Sequence, residues 1–419
     1  MQDTDMRDAN LRDANLRDAN LPLRGLRIVD LSAVLSGPIA TTLLAAQGAD
    51  VIKVEPPEGD TSRRIGPAKG DLSSVFITCN QGKRSVVLDL KQAAARDVLQ
   101  GLIASADVLV ENFRPGVLAR LGLSPDELSA RYPRLIIASV TGHGASGPYA
   151  QDRAYDAVIQ ATAGIAASHR ERATGMPSLL PTLLCDKLTA LTLAQAVTAA
   201  LLGRERDGQG RRVEVAMLDA SIAFQWPDAM YNHVFMDAPP APFPPYGAST
   251  KAYPTRDGMV AVMNPQPVEF KALCDGLGRP DLPTDARFTT AEARMKNGPV
   301  LRAIFEPLFA QRDTDELMRA LTQAGVPIGR VNELDDVLRD PQVLHNHTVA
   351  EVAHGTAGRV RLARQAARFG GQRGADPRPA PHLGEHGAAL LAELGCDAAA
   401  VDELVRLGAV RLWTPRPPA

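Results

Sequence analysis

Length, composition and charge limit what this chain can be. With 419 residues, 45% of them apolar, it is too long for one small domain and can build a large core, which excludes disordered and fibrous proteins. The 46 Lys and Arg residues against 48 Asp and Glu give a net charge of -2, so we expect no general attraction to nucleic acid or anionic lipid. An anionic ligand would have to be bound by a local basic cluster.

Cysteine usage and hydropathy predict a cytoplasmic protein. Cys79, Cys185, Cys274 and Cys396 have no CxxC spacing, so neither a disulfide framework nor a metal site is expected. The most apolar stretch, 188–202, is shorter than the roughly 20 residues of a bilayer span and is predicted to be a buried helix. The N-terminus lacks the apolar segment of a secretory signal. We therefore expect no membrane association.

The N-terminus contains a short repeat. Residues 6–20 read MRDAN LRDAN LRDAN, a period that resembles pentapeptide-repeat solenoids. So few copies cannot bury a continuous core, because stacked repeats stabilise one another through their neighbours. We interpret 1–22 as a flexible leader without a role in the chemistry.

The next part of the chain alternates strand and helix patterns, which predicts a doubly wound α/β domain. A β-branched run, a loop and an apolar helix are followed by a second strand after Gly48, and this βαβ unit predicts a parallel sheet. Strands are predicted at 26–31, 50–55, 85–90, 107–112, 134–140 and 211–218.

The remaining sequence indicates a second domain. A long helix is predicted from about Asp186, and the proline-dense stretch 237–250 is interpreted as a linker. Residues 251–343 are helix-rich and form a predicted smaller domain, and a capped helix within 380–412 could belong to either domain. The aromatic residues of the smaller domain are Phe270, Phe288, Phe305 and Phe309.

The first βα loop reads SAVLSGP, not GxGxxG. Without those glycines the backbone cannot approach a pyrophosphate in the usual way, which argues against a nicotinamide enzyme. Glu55, at the end of the second strand, is interpreted as a carboxylate that faces water. His143, in the turn TGHGASGP, either lines the same mouth or has no role, and the isolated His345 and His347 do not predict a metal site.

Basic residues recur at strand-to-helix junctions. Each alone is typical of a solvated surface, but together they could bind a polyphosphate. They are Arg63, Arg64, Lys83, Arg84, Lys91, Arg114, Arg120 and Arg153.

Asp186 has two interpretations. It stands where PTLLCD meets the helix KLTALTLAQAV, so it could simply be the N-cap of that helix. A helix N-terminus also stabilises a carboxylate, which would keep Asp186 ionised and available as a nucleophile.

Several segments in chain order resemble the class III CoA-transferase family, which includes formyl-CoA transferase, carnitine CoA-transferase and the α-methylacyl-CoA racemases. The resemblance extends from residue 23 to about residue 410. Its segments are LSAVLSGPIATTLLAAQGADVIKVEPPEGD, NQGKRSVVLDLK, VLVENFRPGVLARLGL, YPRLIIASVTGHGASGPYAQDRAYDAVIQATAG, DKLTA, RERDGQGRRVEVAMLDA, GVPIGRVN, DPQV and LGEH.

The resemblance implies an α/β fold and a dimer. The large domain would be a Rossmann-like open parallel sheet built from 23–236 and a return segment, 344–419, with a smaller α+β domain inserted between them. Two such chains would form an interlocked homodimer.

The resemblance also implies a reaction. Asp186 matches the family's nucleophile, which forms an acyl-aspartyl anhydride and then an aspartyl-CoA thioester, with backbone N–H groups of glycine turns stabilising the oxyanions. The partners would be an acyl-CoA donor and a carboxylic acid acceptor. CoA thioester would be a substrate, and no cofactor would be bound permanently.

CoA would be bound by residues that include part of the basic cluster. Simple core packing remains the alternative for Leu88 and Phe113. The matching positions are Val34, Leu88, Lys91, Asn112, Phe113, Arg114, Arg120, Arg153, Ala154, Tyr155 and Asp156.

The chain departs from formyl-CoA transferase at three places. Leu35 replaces a polar amide, Pro56 replaces a basic residue, and 260–265 lacks a glycine-rich lid. Leu35 and the aromatic stretch 224–231 favour a medium-sized, partly apolar acid, such as a branched or dicarboxylic one, over an oxalate-like acid.

Other activities of the same fold stay open. Tyr155 stands where racemases have a histidine before an aspartate, and a phenol is a poor base at neutral pH, so transfer is favoured over racemisation. An intramolecular CoA-transferase and a non-catalytic CoA-binding protein remain alternatives.

Overall fold

The computed structural model describes residues 21–171, 174–238, 240–243, 251–264, 266–373 and 376–414. The predicted leader, apart from its last two residues, and most of the predicted linker lie outside these residues. The described chain divides into two compact units, the first within 1–224 and 344–419 and the second within 225–343. In sequence, the second unit therefore lies between the two parts of the first.

Strands and helices are numbered separately in chain order. The strands are β1 (Arg27–Asp30), β2 (Asp50–Glu55), β3 (Ala68–Lys69), β4 (Leu72–Ser73), β5 (Arg84–Leu88), β6 (Val108–Glu111), β7 (Ile136–Thr141), β8 (Arg212–Ala216), β9 (Lys251–Pro254), β10 (Met259–Val262), β11 (Ile328–Arg330), β12 (Val349–His354), β13 (Gly358–Ala363), β14 (Arg368–Phe369), β15 (Gln372–Arg373) and β16 (Val410–Arg411). The helices are α1 (Ser36–Ala46), α2 (Ser74–Cys79), α3 (Ala93–Ala104), α4 (Val117–Arg120), α5 (Pro125–Arg131), α6 (Asp156–Thr162), α7 (Ile165–Ser168), α8 (Leu184–Asp207), α9 (Met217–Gln225), α10 (Pro267–Gly276), α11 (Ala291–Lys296), α12 (Gly298–Ala310), α13 (Thr314–Gln323), α14 (Leu334–Val337), α15 (Pro341–His345), α16 (Gly387–Glu393) and α17 (Ala398–Arg406).

The first unit is built on a seven-stranded sheet of order β16-β5-β2-β1-β6-β7-β8. All neighbours pair in parallel except β16, which pairs antiparallel with β5. The predicted α/β class with a parallel-dominated sheet is therefore confirmed. The strand order reverses between β1 and β6, and in doubly wound sheets ligands bind in the crevice at the carboxyl ends of the strands at such a point.

Alternate side chains of each strand enter different cores. Ile28 of β1 packs with Leu44 of α1 and Leu193 of α8 on one face, whereas the adjacent Val29 packs with Leu99 of α3 and Leu391 of α16 on the other. This alternation follows from the two-residue period of a strand. Because both faces are covered, the middle residues of the central strands are mostly apolar. Charged side chains are nevertheless buried near the carboxyl ends of β1 and β2, at Asp30, Lys53 and Glu55.

Helix α8 contains the most apolar stretch of the chain. Among the described helices it alone is long and apolar enough to cross a membrane, a test that core helices of globular proteins also meet, and half of its apolar window is buried. Ala190, Leu193 and Val197 lie in the core of the first unit. The expected helix is confirmed, but it is buried on one side only, since Leu191 and Leu202 are exposed. The absence of membrane association stays a prediction.

The last part of the chain returns to the first unit. The hairpin β12–β13, the helices α16 and α17, and β16 all lie within 344–419. Val410 of β16 pairs with Leu88 of β5. The C-terminal helix that the sequence leaves unassigned therefore belongs to the first unit.

The second unit has an antiparallel sheet of order β11-β10-β9 and the helices α10 to α13. Five of the fifteen buried residues of its core are aromatic, and Tyr253 stacks on Phe309 at a centroid distance of 4.6 Å. The aromatic residues named from the sequence, Phe270, Phe288, Phe305 and Phe309, are all buried.

Candidate functional site

Two adjoining cavities occupy the carboxyl ends of the parallel strands in the first unit. The Asp186 cavity, about 500 Å³, is lined by the loops after β1, β6 and β7 and by the first turn of α8. The Lys91 cavity, about 360 Å³, is lined by the loops after β1, β2 and β5. Ala33 and Phe113 line both cavities, so one elongated ligand can occupy the two together.

Buried charges support the loop after β1. Lys83 Nζ lies 2.9 Å from Asp30 Oδ2, and Lys53 Nζ lies 2.8 Å from Asp60 Oδ2, with all four side chains almost fully buried. Lys53 Nζ also donates to the carbonyl oxygen of Ser32 at 2.7 Å. Removing one partner of such a pair strongly destabilises a protein, because the other charge is left buried without compensation. The sequence pattern does not mark Asp30, Lys53 and Asp60 as structural charges, because it does not show which charged residues are buried together.

The same loop is fixed by hydrogen bonds to its neighbours. Ala33 N–H donates to Asn112 Oδ1 at 2.9 Å, and Asn112 Nδ2 donates back to the Ala33 carbonyl at 2.7 Å. Val34 N–H donates to Asp60 Oδ1 at 3.1 Å. Val34 has φ 71°, a left-handed conformation that is unfavourable for a β-branched residue and typical of sites held by their surroundings. Val34 and Asn112 both line the Asp186 cavity, and their expected contact with CoA stays a prediction.

Asp186 is not the N-cap of its helix. Helix α8 begins at Leu184 with Leu183 at the N-cap, so Asp186 is the third helical residue. Its Oδ1 accepts a hydrogen bond from the hydroxyl of Ser36, the first residue of α1. The capping interpretation is therefore wrong, because the carboxylate turns towards α1 and lines the cavity.

Asp156 fixes the backbone of Asp186 by a hydrogen bond. Asp186 N–H donates to Asp156 Oδ1 at 2.9 Å, and Gln160 Nε2 donates to Asp156 Oδ2 at 2.6 Å. Gln160 is itself fixed, since its Oε1 accepts from Leu180 N–H at 2.9 Å and its Nε2 donates to the Thr182 carbonyl at 3.0 Å. Asp156, expected to bind CoA, is instead buried and does not line either cavity, so its position suits a structural role.

The surroundings of Asp186 raise the pKa of its carboxyl group. Burial is the largest cause, the hydrogen bond from Ser36 opposes it, and the nearby Asp156 carboxylate adds to it. The expected stabilisation at a helix N-terminus is thus outweighed by desolvation. A carboxylate whose charge is poorly stabilised is a more reactive nucleophile than one in water.

Three of the four basic residues that the resemblance assigns to CoA line the crevice. Arg114 and Arg153 line the Asp186 cavity and Lys91 lines the second one. All three are exposed, and none forms an ion pair with a described carboxylate. Arg120, at the end of α4, is exposed but lines neither cavity.

Other members of the predicted basic cluster lie elsewhere. Arg63 is buried and forms a two-point contact with Glu55, with both N···O distances 2.7 Å. Glu55, expected to face water, is only 1% exposed. Arg84 pairs with Asp50 at the opposite end of the strands. These guanidinium groups, like Lys83, neutralise carboxylates of the fold and are not available to a ligand.

A glycine brings the segment after β7 into the Asp186 cavity. A Cβ atom at Gly142 would lie 2.1 Å from the Cβ of Ala154, so only glycine permits this approach. Ala154 and Tyr155 line the cavity, and Tyr155 is 64% exposed. His143 lines neither cavity, and its ring centroid lies 5.8 Å from that of Tyr149.

The Lys91 cavity is largely apolar. Leu88, 1% exposed, contributes both to the core and to the cavity wall, so the packing role and the lining role coexist. Phe113, Pro56 and Leu121 form other parts of the wall. Two lysines, the buried Lys53 and the exposed Lys91, also line it, together with four acidic residues, Glu55, Glu58, Asp60 and Asp89. An apolar slot with an exposed lysine suits a flat ring that carries phosphate.

No group of three or more His, Cys, Asp or Glu side chains in the described part of the chain is arranged to hold a metal ion. The four cysteines are free thiols, and three of them are buried.

Comparison with known proteins shows the family of this chain. The sequence profile described as CoA-transferase family III matches residues 23–387. The chain is 36% identical over 387 residues to the acetyl-CoA:oxalate CoA-transferase of Acetobacter aceti, covering 90% of this chain and 97% of that protein. It is 32% identical to the succinyl-CoA:glutarate CoA-transferase of Homo sapiens, covering 93% of this chain and 90% of that one. The crystal structure of Rv3272 from M. tuberculosis matches with a TM-score of 0.78 at 34% identity, covering 88% of this chain and 98% of that one.

Proposed function

Because this chain belongs to CoA-transferase family III and is a CoA-transferase by that membership, we propose that it moves CoA from an acyl-CoA to a free carboxylic acid through covalent intermediates on Asp186. One observation carries the proposal. The Asp186 carboxylate, desolvated and turned away from its own helix, lines a cavity that adjoins the apolar Lys91 cavity.

The two cavities suit the two ends of an acyl-CoA. The adenine ring would occupy the Lys91 cavity against Leu88, and the thioester would reach Asp186 past Phe113, which lines both cavities. The phosphates would be bound by Lys91, Arg114 and Arg153, since unpaired basic side chains are what a polyphosphate requires. Arg120 would contact a phosphate only at the rim of the crevice.

The first half of the reaction transfers CoA to the enzyme. Asp186 Oδ2 attacks the thioester carbon, the carbon–sulfur bond breaks, and the electron pair leaves with the CoA thiolate. The thiolate then attacks Cγ of the resulting anhydride and expels the donor acid, which carries Oδ2 away, leaving an aspartyl-CoA thioester. No ATP is needed because the thioester energy is retained.

The second half repeats these steps with the acceptor. Its carboxylate attacks Cγ of the aspartyl-CoA thioester, expels the thiolate and forms a second anhydride. The thiolate attacks the acyl carbon of the acceptor, giving the new acyl-CoA and the free Asp186 carboxylate. Atoms balance because Asp186 retains one oxygen of the acceptor.

We propose a medium-sized, partly apolar acid as the acceptor. Leu35, Val140 and Met217 give the Asp186 cavity apolar walls. The aromatic stretch 224–231, expected to contribute, does not line this cavity, so the proposal rests on these three residues. Oxalate and glutarate, the acids in the names of two relatives, bracket the size range to be assayed.

We also propose that the enzyme is a cytoplasmic homodimer. Large apolar side chains are exposed on the single chain, among them Phe224 at 58%, Phe235 at 63% and Met236 at 91%. Exposed apolar surface of this kind is typical of protein interfaces.

Intact-protein mass spectrometry tests the covalent route. Incubation with a panel of acyl-CoAs is expected to add the mass of an acyl group or of CoA to the wild type, and hydroxylamine is expected to remove it. Asp186→Asn should show no adduct and no transfer. Asp207→Asn, at the other end of α8, is the matched control and should behave as the wild type. An adduct that persists in Asp186→Asn would refute the proposed nucleophile.

A further inference from the structure

The hydroxyl of Ser36 is the group in contact with the Asp186 carboxylate. Ser36 is the first residue of α1 and is 4% exposed, and its Oγ donates to Asp186 Oδ1 across 150 residues of sequence. The hydroxyl makes no other hydrogen bond to a described residue. It does not cap α1, whose N-cap is Leu35. Within the described residues, the buried Ser36 hydroxyl therefore donates its hydrogen bond to Asp186 alone.

The backbone around Ser36 is constrained on both sides. Val34, two residues before it, is held in its left-handed conformation by Asp60. A Cβ at Gly37, the residue after it, would lie 2.3 Å from the Cβ of Ser32, so only glycine lets the loop pack there. Such a supported position is what a preorganised donor needs, because it does not have to reorient during the reaction.

We propose that Ser36 is a further catalytic residue, whose hydroxyl fixes Asp186 Oδ1 in the free enzyme and stabilises the negative charge that develops on the same oxygen in the covalent steps. This inference rests on the proposed function.

The chemistry follows from which oxygen Ser36 holds. With Oδ1 engaged, Oδ2 presents its lone pairs to the thioester and becomes the bridging oxygen of the anhydride. Oδ1 is then the carbonyl oxygen of the aspartyl group. When the CoA thiolate attacks Cγ, the electron pair of the carbonyl bond moves onto Oδ1, and the Ser36 hydroxyl already lies beside it. The pair returns as the donor acid leaves, so Ser36 neither gains nor loses its proton.

The same bond affects the free carboxylate. Among the surroundings that set the pKa of Asp186, Ser36 is the main one that lowers it. Removing the hydroxyl should raise that pKa further and reduce the ionised fraction at a given pH. The acid limb of the rate profile would then move to higher pH.

The experiment compares Ser36→Ala, Ser36→Thr and the wild type by steady-state kinetics, pH profile and rapid-quench mass spectrometry with one acyl-CoA and acid. Ser36→Ala should lose about 100-fold in kcat, as loss of an oxyanion donor does, with little change in the KM for acyl-CoA. The acid limb of its pH–rate profile should move to higher pH. Its quenched samples should be enriched in the acyl-aspartyl adduct, because the attack of the CoA thiolate on that adduct needs the Ser36 hydroxyl as hydrogen-bond donor. Ser36→Thr, which keeps the hydroxyl, should recover most of the rate.

Thr42→Val is the control for loss of a hydroxyl from α1, because Thr42 donates to the Cys79 carbonyl and lines neither cavity. It should match the wild type in rate and pH profile. If Ser36→Ala keeps the wild-type kcat and pH profile while Asp186→Asn is inactive, the role of Ser36 is refuted and the Asp186 route stands. If Asp186→Asn still transfers CoA, the proposed function fails and the role of Ser36 fails with it.

Discussion

Asp156 and Asp186 show how one carboxylate prepares another. Asp156 accepts the main-chain N–H of Asp186 and so sets the position of its backbone, while its own charge raises the pKa of the Asp186 side chain. The Asp156 carboxylate thus sets both the position of the Asp186 backbone and the pKa of the Asp186 side chain. Gln160 makes this possible, because it fixes the second oxygen of Asp156.

Asp156→Asn separates these two effects. The amide oxygen can still accept the Asp186 N–H, but the charge that raises the pKa of Asp186 is gone, so the acid limb of kcat should move to lower pH. The amide nitrogen would face the Gln160 donor, which should cost about 1–3 kcal/mol of unfolding free energy. A pH–rate profile and urea denaturation measure both.

The direction of the pH shift is the decisive result. Ser36→Ala should move the limb to higher pH and Asp156→Asn to lower pH, because the two residues act on Asp186 with opposite sign. Shifts in the same direction would contradict this account of the site.

At the scale of elements, the loop after β1 depends on buried ion pairs. The pKa of Asp30 is lowered to about 2 by the nearby Lys83 and Lys53, which outweigh the effect of its burial. Burial lowers the pKa of Lys83 to about 8, so its ammonium group stays protonated at neutral pH. Lys83 Nζ also donates to the carbonyl oxygen of Pro38 at 2.9 Å, which ties the start of α1 to β5.

Lys83→Met should therefore destabilise the first unit. It leaves the buried Asp30 with Lys53 as its remaining cation, a loss of about 3–5 kcal/mol when a buried pair is broken. Urea denaturation is the measurement. Arg212→Met, which breaks the exposed pair with Asp126, should cost no more than about 1 kcal/mol.

Acid denaturation gives the sign of the same effect. Asp30 has a lowered pKa in the folded state, so its contribution is complete above about pH 4 and is lost as the pH falls towards 2. Without Lys83 the folded-state pKa of Asp30 rises, so Lys83→Met lacks this acid-sensitive contribution, and its stability should differ most from that of the wild type at about pH 5 and least at about pH 2. A stability difference that stays constant over that pH range would contradict a contribution from the pair.

The strands could be predicted from the sequence, whereas the burial of the charges between them could not. β-branched runs bounded by turns mark β1, β2 and β5 because packing on both faces of a sheet requires apolar side chains. Lys83 and Arg63 resemble surface charges because the sequence pattern does not show their partners: Asp30 lies 53 residues from Lys83, and Glu55 lies 8 residues from Arg63 in a different element. Neither composition nor periodicity reveals such pairs.

The site was predictable in its parts. Asp186, Asn112 and Arg153 were named from motifs, and the cavity unites them because each follows a parallel strand or begins a helix at the same edge of the sheet. Ser36 lies within a quoted motif, yet nothing in SAVLSGP shows that its hydroxyl points to a residue 150 positions away. Contacts of that range are set by how α1 and α8 pack, which the sequence pattern leaves undefined.

At the scale of the molecule, the C-terminal strand β16 packs beside β5, the strand whose end lines the Lys91 cavity. Strand β16 covers the edge of β5, with Val410 opposite Leu88, and Asp89 N–H donates to the Ala409 carbonyl at 3.0 Å. Leu88 is also a wall of the Lys91 cavity. The last strand of the chain therefore fixes the strand that would contact the adenine ring.

Removal of residues 408–419 should weaken both stability and CoA binding. Burial of a side chain such as Val410 contributes about 1.5–3 kcal/mol, and β5 would become an exposed sheet edge prone to association. Removal of 415–419 alone leaves β16 intact and is the matched control. Thermal unfolding and calorimetric titration with CoA measure the two effects. If stability falls while CoA affinity is unchanged, the expected role of β16 in CoA binding is refuted, because Leu88 then keeps its position without the strand beside it.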